Sequence, residues 1–145
     1  MIIDFFDLNE VFCPEVCKKY GDFAWNFMDS KLLIVMEALR MRLNKSIYVN
    51  DYAVHGKLTQ RGFRCVQCAL MKKVYSDGIL FTDPHALGKA WDFSVEGLVA
   101  SEVREYIIKN KNLWPYPIRL EDNVSWCHLD TLNNSGTDKV ILFNK

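Results

Sequence analysis

DPHALGKAWDF, residues 83–93, sets a histidine and an aspartate seven positions apart, with a glycine between them. The run KAWDFSV alternates in side-chain character as a half-buried strand does. Ala90 and Asp92 then share one face, and Trp91 and Phe93 the other. Small Ala90 leaves room beside Asp92. Gly88 lets the chain bend, so that His85, in the preceding loop, reaches the same place.

A second string, SWCHLD at residues 125–130, completes the pattern. In an extended segment Trp126, His128 and Asp130 lie on one face, and Cys127 and Leu129 on the other. Cys127 therefore points away from His128 and is a poor ligand candidate. Only three histidines occur in the chain, and two of them fall in these strings. The third, His55, sits in a polar loop and is expected to be exposed. Trp91 and Trp126 are expected in the core rather than as substrate platforms. Two imidazoles and a carboxylate form a three-ligand set for one Zn²⁺ with an open fourth position, as in catalytic rather than structural zinc sites. His85, Asp92 and His128 are the candidate ligands.

PIRLE and SWCHLDT are separated by DNVS, a hairpin signal in composition and spacing. A two- or four-residue loop places Glu121 opposite Trp126, on the face that carries His128 and one diagonal step from it. Diagonal neighbours lie roughly 7–8 Å apart, close enough for a carboxylate to hold a metal-bound water. Glu121 is the candidate general base, with Asp122 in reserve. Zinc lowers the pKa of bound water to roughly 7, and a carboxylate base then shuttles the proton to a leaving amine. Asp130 or a backbone carbonyl is suited to hold the second nitrogen of His128.

Outward from these strings, Asp29 is placed to cap a helix through KLLIVMEALRMRL, where Leu32, Val35, Met36, Leu39 and Leu43 recur at helical spacing. SIYVN predicts a short strand, DYAVHGKLTQRG a loop and RCVQCALMKKVY a second helix. SDGILFTDP breaks regular structure, and SEVREYIIKN predicts a third helix capped near Ser101. TDKVILFN supplies a last apolar strand. Helices come first and strands cluster late. The expectation is one α+β domain over residues 1–145, with N-terminal helices packed on a small antiparallel sheet.

The 145 residues suffice for one hydrophobic core, and eighteen basic residues balance eighteen acidic ones. That balance gives no electrostatic reason to expect nucleic acid or an anionic membrane as partner. MIIDFFDLNEVF lacks the features of a signal peptide, and LLIVMEAL, broken by Glu37, is too short to span a bilayer. A soluble, monomeric protein made in the cytoplasm is expected. Cys13, Cys17, Cys65, Cys68 and Cys127 are an odd set, expected to be reduced. Cys13 with Cys17 and Cys65 with Cys68 offer a second, four-sulfur zinc site. The looser first spacing favours small buried thiols instead.

These residues resemble the D-Ala-D-Ala carboxypeptidase type of zinc peptidase, whose relatives include phage L-alanyl-D-glutamate endolysins and the hedgehog domain. The family pattern, Ser-x-His-x-x-Gly-x-Ala-x-Asp followed by Trp-x-His, reads here DPHALGKAWD and WCH. SIYVND and RGFRC resemble the family's strand-then-arginine segment, which implies a substrate- or oxyanion-holding role for Arg64. The likeness covers roughly residues 45–131. Asp83 stands where the family has serine. Ser125 stands where many members carry their catalytic acid, whereas Glu121 fits relatives that place it before the turn. The resemblance implies a zinc peptidase acting on peptidoglycan stem peptides, of phage-lysin type. The alternatives are a non-catalytic zinc-stabilised binding or virion module of the same fold, and a metal-free domain with incidental motifs. Loops 51–61 and 110–117 are the segments that would separate an endopeptidase from a carboxypeptidase.

Overall fold

Asp29 does cap the long helix, its carboxylate accepting a hydrogen bond from the Lys31 N–H at 2.8 Å. The structure, a computed structural model, describes residues 5–78, 83–132 and 136–145. Five helices occur among them: α1 (Leu8–Val11), α2 (Pro14–Tyr20), α3 (Ser30–Leu43), α4 (Met71–Ser76) and α5 (Ala100–Lys109). Five strands, β1 (Ile47–Tyr48), β2 (Ala90–Val95), β3 (Ile118–Glu121), β4 (Cys127–Asp130) and β5 (Val140–Phe143), form one sheet in the order β1-β2-β4-β3-β5. The architecture is α+β.

Side-chain alternation divides this sheet into two unlike faces. Trp91, Phe93, Cys127, Leu129, Ile118 and Leu120 point to one side and are buried. There Val35 and Leu39 of α3 meet Ile107 of α5, Trp114, Ile118 and Leu129. Helix α3 presents Leu32, Val35, Met36 and Leu39 to this core and ends at Asn44, whose left-handed φ of 49° suits a C-terminal cap. Helix α5 begins at Ala100, next to Ser101, with Val99 as its cap residue and Glu102 reaching back to the Val99 N–H. The opposite face carries Ala90, Asp92, His128, Asp130, Arg119 and Glu121.

Several expectations need correction. The sheet is mixed: β5 runs parallel to β3, with Glu121 level with Phe143. Both edges of β4 are taken by β2 and β3, so β5 cannot pair with β4 and instead adds beyond β3, in its direction. The second helix is shorter than RCVQCALMKKVY implies. Residues 65–70 form turns, with Cys68 N–H bonded to Cys65 C=O and Met71 N–H to Cys68 C=O, and the helix starts only at Met71. Strand β2 is buried on both faces through Phe93 instead of alternating, because the Arg64 guanidinium and the His85 and His128 rings pack on Asp92 on its polar face. Trp126 lies outside β4 and is 39% exposed, not core. Residues 1–4 of the N-terminal segment and 79–82 of the SDGILFTDP break lie outside the described residues.

Gly88 is needed where it stands. Its φ is +67°, and a Cβ there would sit 2.0 Å from the Phe27 carbonyl oxygen. Its own carbonyl accepts from Asp29 N–H at 2.9 Å, tying the His85 loop to the start of α3. Gly88→Ala is expected to cost about 2–4 kcal/mol, combining left-handed strain with a backbone clash. Chemical denaturation would read that loss.

Candidate metal centre

His85, Asp92 and His128 each offer one ligand atom, and these atoms all lie within 4.8 Å of one another. The sheet register places two of them: Asp92 of β2 is directly opposite His128 of β4. His85 arrives from a turn that Asp83 organises, its carboxylate accepting from the N–H groups of His85 at 2.8 Å and Ala86 at 3.2 Å. Aspartate at this position thus performs the local capping that a serine can provide.

The two imidazoles are oriented by their other nitrogens. His85 Nδ1–H donates to the Gly62 carbonyl at 2.9 Å, leaving Nε2 without a proton. That Nε2 is buried, has no hydrogen-bond partner, and lies 3.4 Å from Asp92 Oδ2. His128 Nε2 faces Asp130 Oδ2 at 3.2 Å, while Nδ1 faces Asp92 Oδ1 at 2.7 Å. The ring centroids of the two histidines are 5.2 Å apart. A small tetrahedral ion with bonds of ~2.0–2.1 Å separates its ligand atoms by about 3.3 Å. The unpartnered imidazole nitrogen beside a carboxylate and a second imidazole is therefore a donor set that fits a metal ion.

The electrostatics agree with that fit. Burial pushes His85 below its ordinary pKa, keeping it neutral as a ligand must be. Burial alone would raise the Asp92 carboxyl, but its hydrogen bond with His128 and its closeness to the His85 ring outweigh it and hold Asp92 below the usual range. Burial likewise lowers His128, yet the Asp130 and Asp92 carboxylates outweigh it and lift its pKa. The proton between His128 Nδ1 and Asp92 is the one that an arriving ion would displace.

Around this centre stand the other expected residues. Glu121 is 5% exposed, and its Oε2 has no hydrogen-bond partner; it pairs with Lys145, Nζ to Oε2 3.8 Å. The pairs Arg119–Asp130 and Leu120–Leu129 bring Glu121 level with His128, not with Trp126. Five residues, not two or four, separate the strands, and Asn123 at φ 58° makes the turn. Glu121 keeps the expected face but lies closer to His128 than a diagonal. Asp122, the reserve, turns away to Arg104 at 3.6 Å. Arg64 donates from Nε to the Gln60 carbonyl at 2.8 Å and from Nη2 to Asp92 Oδ2 at 3.0 Å. Cys127 points to the opposite face, towards the Ala100 carbonyl, and His55 is exposed.

Two arginines escaped the sequence reading. Arg119 binds both oxygens of fully buried Asp130, at 2.7 and 2.8 Å, and stacks over Phe143. It anchors the carboxylate that orients His128. Its position two residues before Glu121, on the same strand face, was a signal available in IRLE. Arg61 bonds Ser94 Oγ at 3.0 Å, and with Lys57 and Arg64 it lines a cleft of about 230 Å³ that reaches Asp92. Asp130→Asn is expected to weaken metal binding by about 10- to 100-fold through misorientation of His128. Competition against a chromogenic chelator measures it.

Comparison with protein-family models, with curated proteins and with solved structures finds no match for this chain. Among the described residues, no helix is long and apolar enough to cross a membrane.

Proposed function

We propose that the protein is a zinc-dependent peptidase hydrolysing amide bonds in peptidoglycan stem peptides. The observation that carries this is the unprotonated, buried and unpartnered Nε2 of His85, aimed at Asp92 beside His128. Zn²⁺ in that set would supply Lewis-acid polarisation and a water acidified to near neutrality. Glu121, buried on the same sheet face with a carboxylate oxygen that no hydrogen bond occupies, takes the proton from the attacking water and passes it to the leaving amine nitrogen. Asp130 and Arg119 keep His128 in one tautomer throughout.

The substrate class is supported by the cleft beside Asp92. Lys57, Arg61 and Arg64 converge there, and such a lining favours a peptide carrying carboxylates. Arg64, already bonded to Asp92, is assigned to the substrate carbonyl or carboxylate nearest the ligands. Membership of the D-Ala-D-Ala carboxypeptidase type rests on the DPHALGKAWD and WCH strings, and a phage-type lysin acting at the cell wall rests on that resemblance alone.

The test is release of new amino groups from purified peptidoglycan by zinc-loaded protein, repeated after chelation and again after zinc is restored. Release that follows zinc is expected. A folded, zinc-bound protein that releases none would be a binding or virion module instead.

A further inference from the structure

Away from the histidine centre, a second group of potential ligands gathers between the N-terminal helices and the segment that follows Arg64. Cys13, at the start of α2, lies with its Sγ 3.5 Å from Cys65 Sγ, and Cys65 Sγ is 3.7 Å from Cys68 Sγ. All three sulfurs fall within 4.8 Å of one another, though Cys13 and Cys65 are 52 residues apart in the chain. Cys13 and Cys68 are buried, and Cys65 is half-buried.

These separations narrow the fates of three thiols. A disulfide needs its sulfurs about 2.05 Å apart, and three thiols can form only one, leaving the third unused. A tetrahedral ion with Zn–S bonds of ~2.3 Å holds its sulfurs about 3.8 Å apart. The observed spacing excludes the first and fits the second; reduced thiols in contact share it, and the metal count separates the two. The backbone is arranged for it too: Cys68 N–H bonds the Cys65 carbonyl at 3.1 Å, folding the CxxC segment so that both thiols face Cys13. This turn is why the helix over this region starts late.

We propose that Cys13, Cys65 and Cys68 bind one Zn²⁺ as thiolates, forming a second metal site distinct from the histidine centre. Cys17, which spacing alone would nominate as fourth ligand, is engaged elsewhere. Its sulfur lies 3.4 Å from the Tyr52 hydroxyl and 3.7 Å from the Phe12 carbonyl. The fourth position is therefore filled from solvent, reached along the cavity of about 260 Å³ that Cys65 lines with Val16, Tyr20 and Phe63. The ion ties α2 to the residue directly after Arg64, so it holds the arginine segment against the body of the domain. This assignment stands independently of the proposed peptidase activity.

The experiment uses the full chain, purified reduced, loaded with metal and freed of excess. Two zinc ions per chain are expected by elemental mass spectrometry. One remains in His85→Ala/His128→Ala, and one is lost in Cys65→Ser/Cys68→Ser. Cobalt-loaded wild type, which needs no substitution to fold, is expected to show sulfur-to-cobalt charge transfer in the near ultraviolet, because the histidine centre has no sulfur ligand. The same band persists in the histidine double variant. Cobalt-loaded wild type without that band, or a zinc count unchanged by the cysteine substitutions, overturns the proposal. A single ion accompanied by the band sustains it and removes the metal from the histidine centre instead.

Discussion

Glu121→Gln is expected to lower kcat by about 10²–10⁴-fold while leaving zinc bound and the fold intact. That range corresponds to about 3–5 kcal/mol of transition-state stabilisation. The substitution is nearly isosteric and removes only the ability to accept and return a proton. Little stability is at stake in its ion pair, because Lys145 is exposed and 3.8 Å away, and exposed pairs contribute little. Glu121 Oε2 has no hydrogen-bond partner to lose. Metal content measured beside the rate separates this outcome from simple loss of the centre. A variant that retains both zinc and near-wild-type turnover would remove Glu121 from the mechanism.

His85→Ala should abolish metal binding at the histidine centre and reduce hydrolysis to background. His85 contributes the one ligand nitrogen already free of both proton and hydrogen bond. Without it, Asp92 and His128 close on each other at 2.7 Å, a stable pair with no third donor. Loss of one of three protein ligands to zinc removes most of the binding free energy, so the ion should be absent after desalting. The side chain is 1% exposed, and truncation leaves a polar cavity at the Gly62 carbonyl, so a lowered melting temperature is also expected. Equal zinc at this centre in variant and wild type would sink the assignment of His85 as a ligand.

Much of the centre was legible because strand geometry has a fixed period. Parity put His128 with Asp130 and sent Cys127 to the other face, and the hairpin pairing added Glu121. That Asp92 shares this face was expected from the ligand pattern and is shown by the register of β2 on β4. Parity survives an error in register, provided the error is even. The hairpin pairing was misjudged by two residues, yet Glu121 stayed on the His128 face because five connecting residues, with Asn123 left-handed, shift the partner by one full period. Direction carries no such protection. That β5 lies parallel to β3 depends on which sheet edge is free, and no local pattern in TDKVILFN encodes it.

The remaining misses share a cause. Tertiary contacts overrode local preference in RCVQCALMKKVY, where helix-compatible residues are turned so that Cys65 and Cys68 meet a cysteine 52 positions away. The short helices α1 and α2 lie in a segment with no sustained period, though Pro14 at the first helical position and Gly21 at the end of α2 are recognisable punctuation. Arg119 was overlooked because its role is to bind Asp130, a contact made across the sheet and not along the chain.

The most direct test of the central claim is mass spectrometry of purified peptidoglycan after incubation with the zinc-loaded protein, run in parallel with Glu121→Gln. A new stem-peptide fragment produced by wild type and absent from the variant digest is the predicted result, and its mass identifies the bond cut. Intact peptidoglycan from wild type shown to be folded, with zinc at His85, Asp92 and His128, would contradict the peptidase assignment and leave a zinc-stabilised binding module.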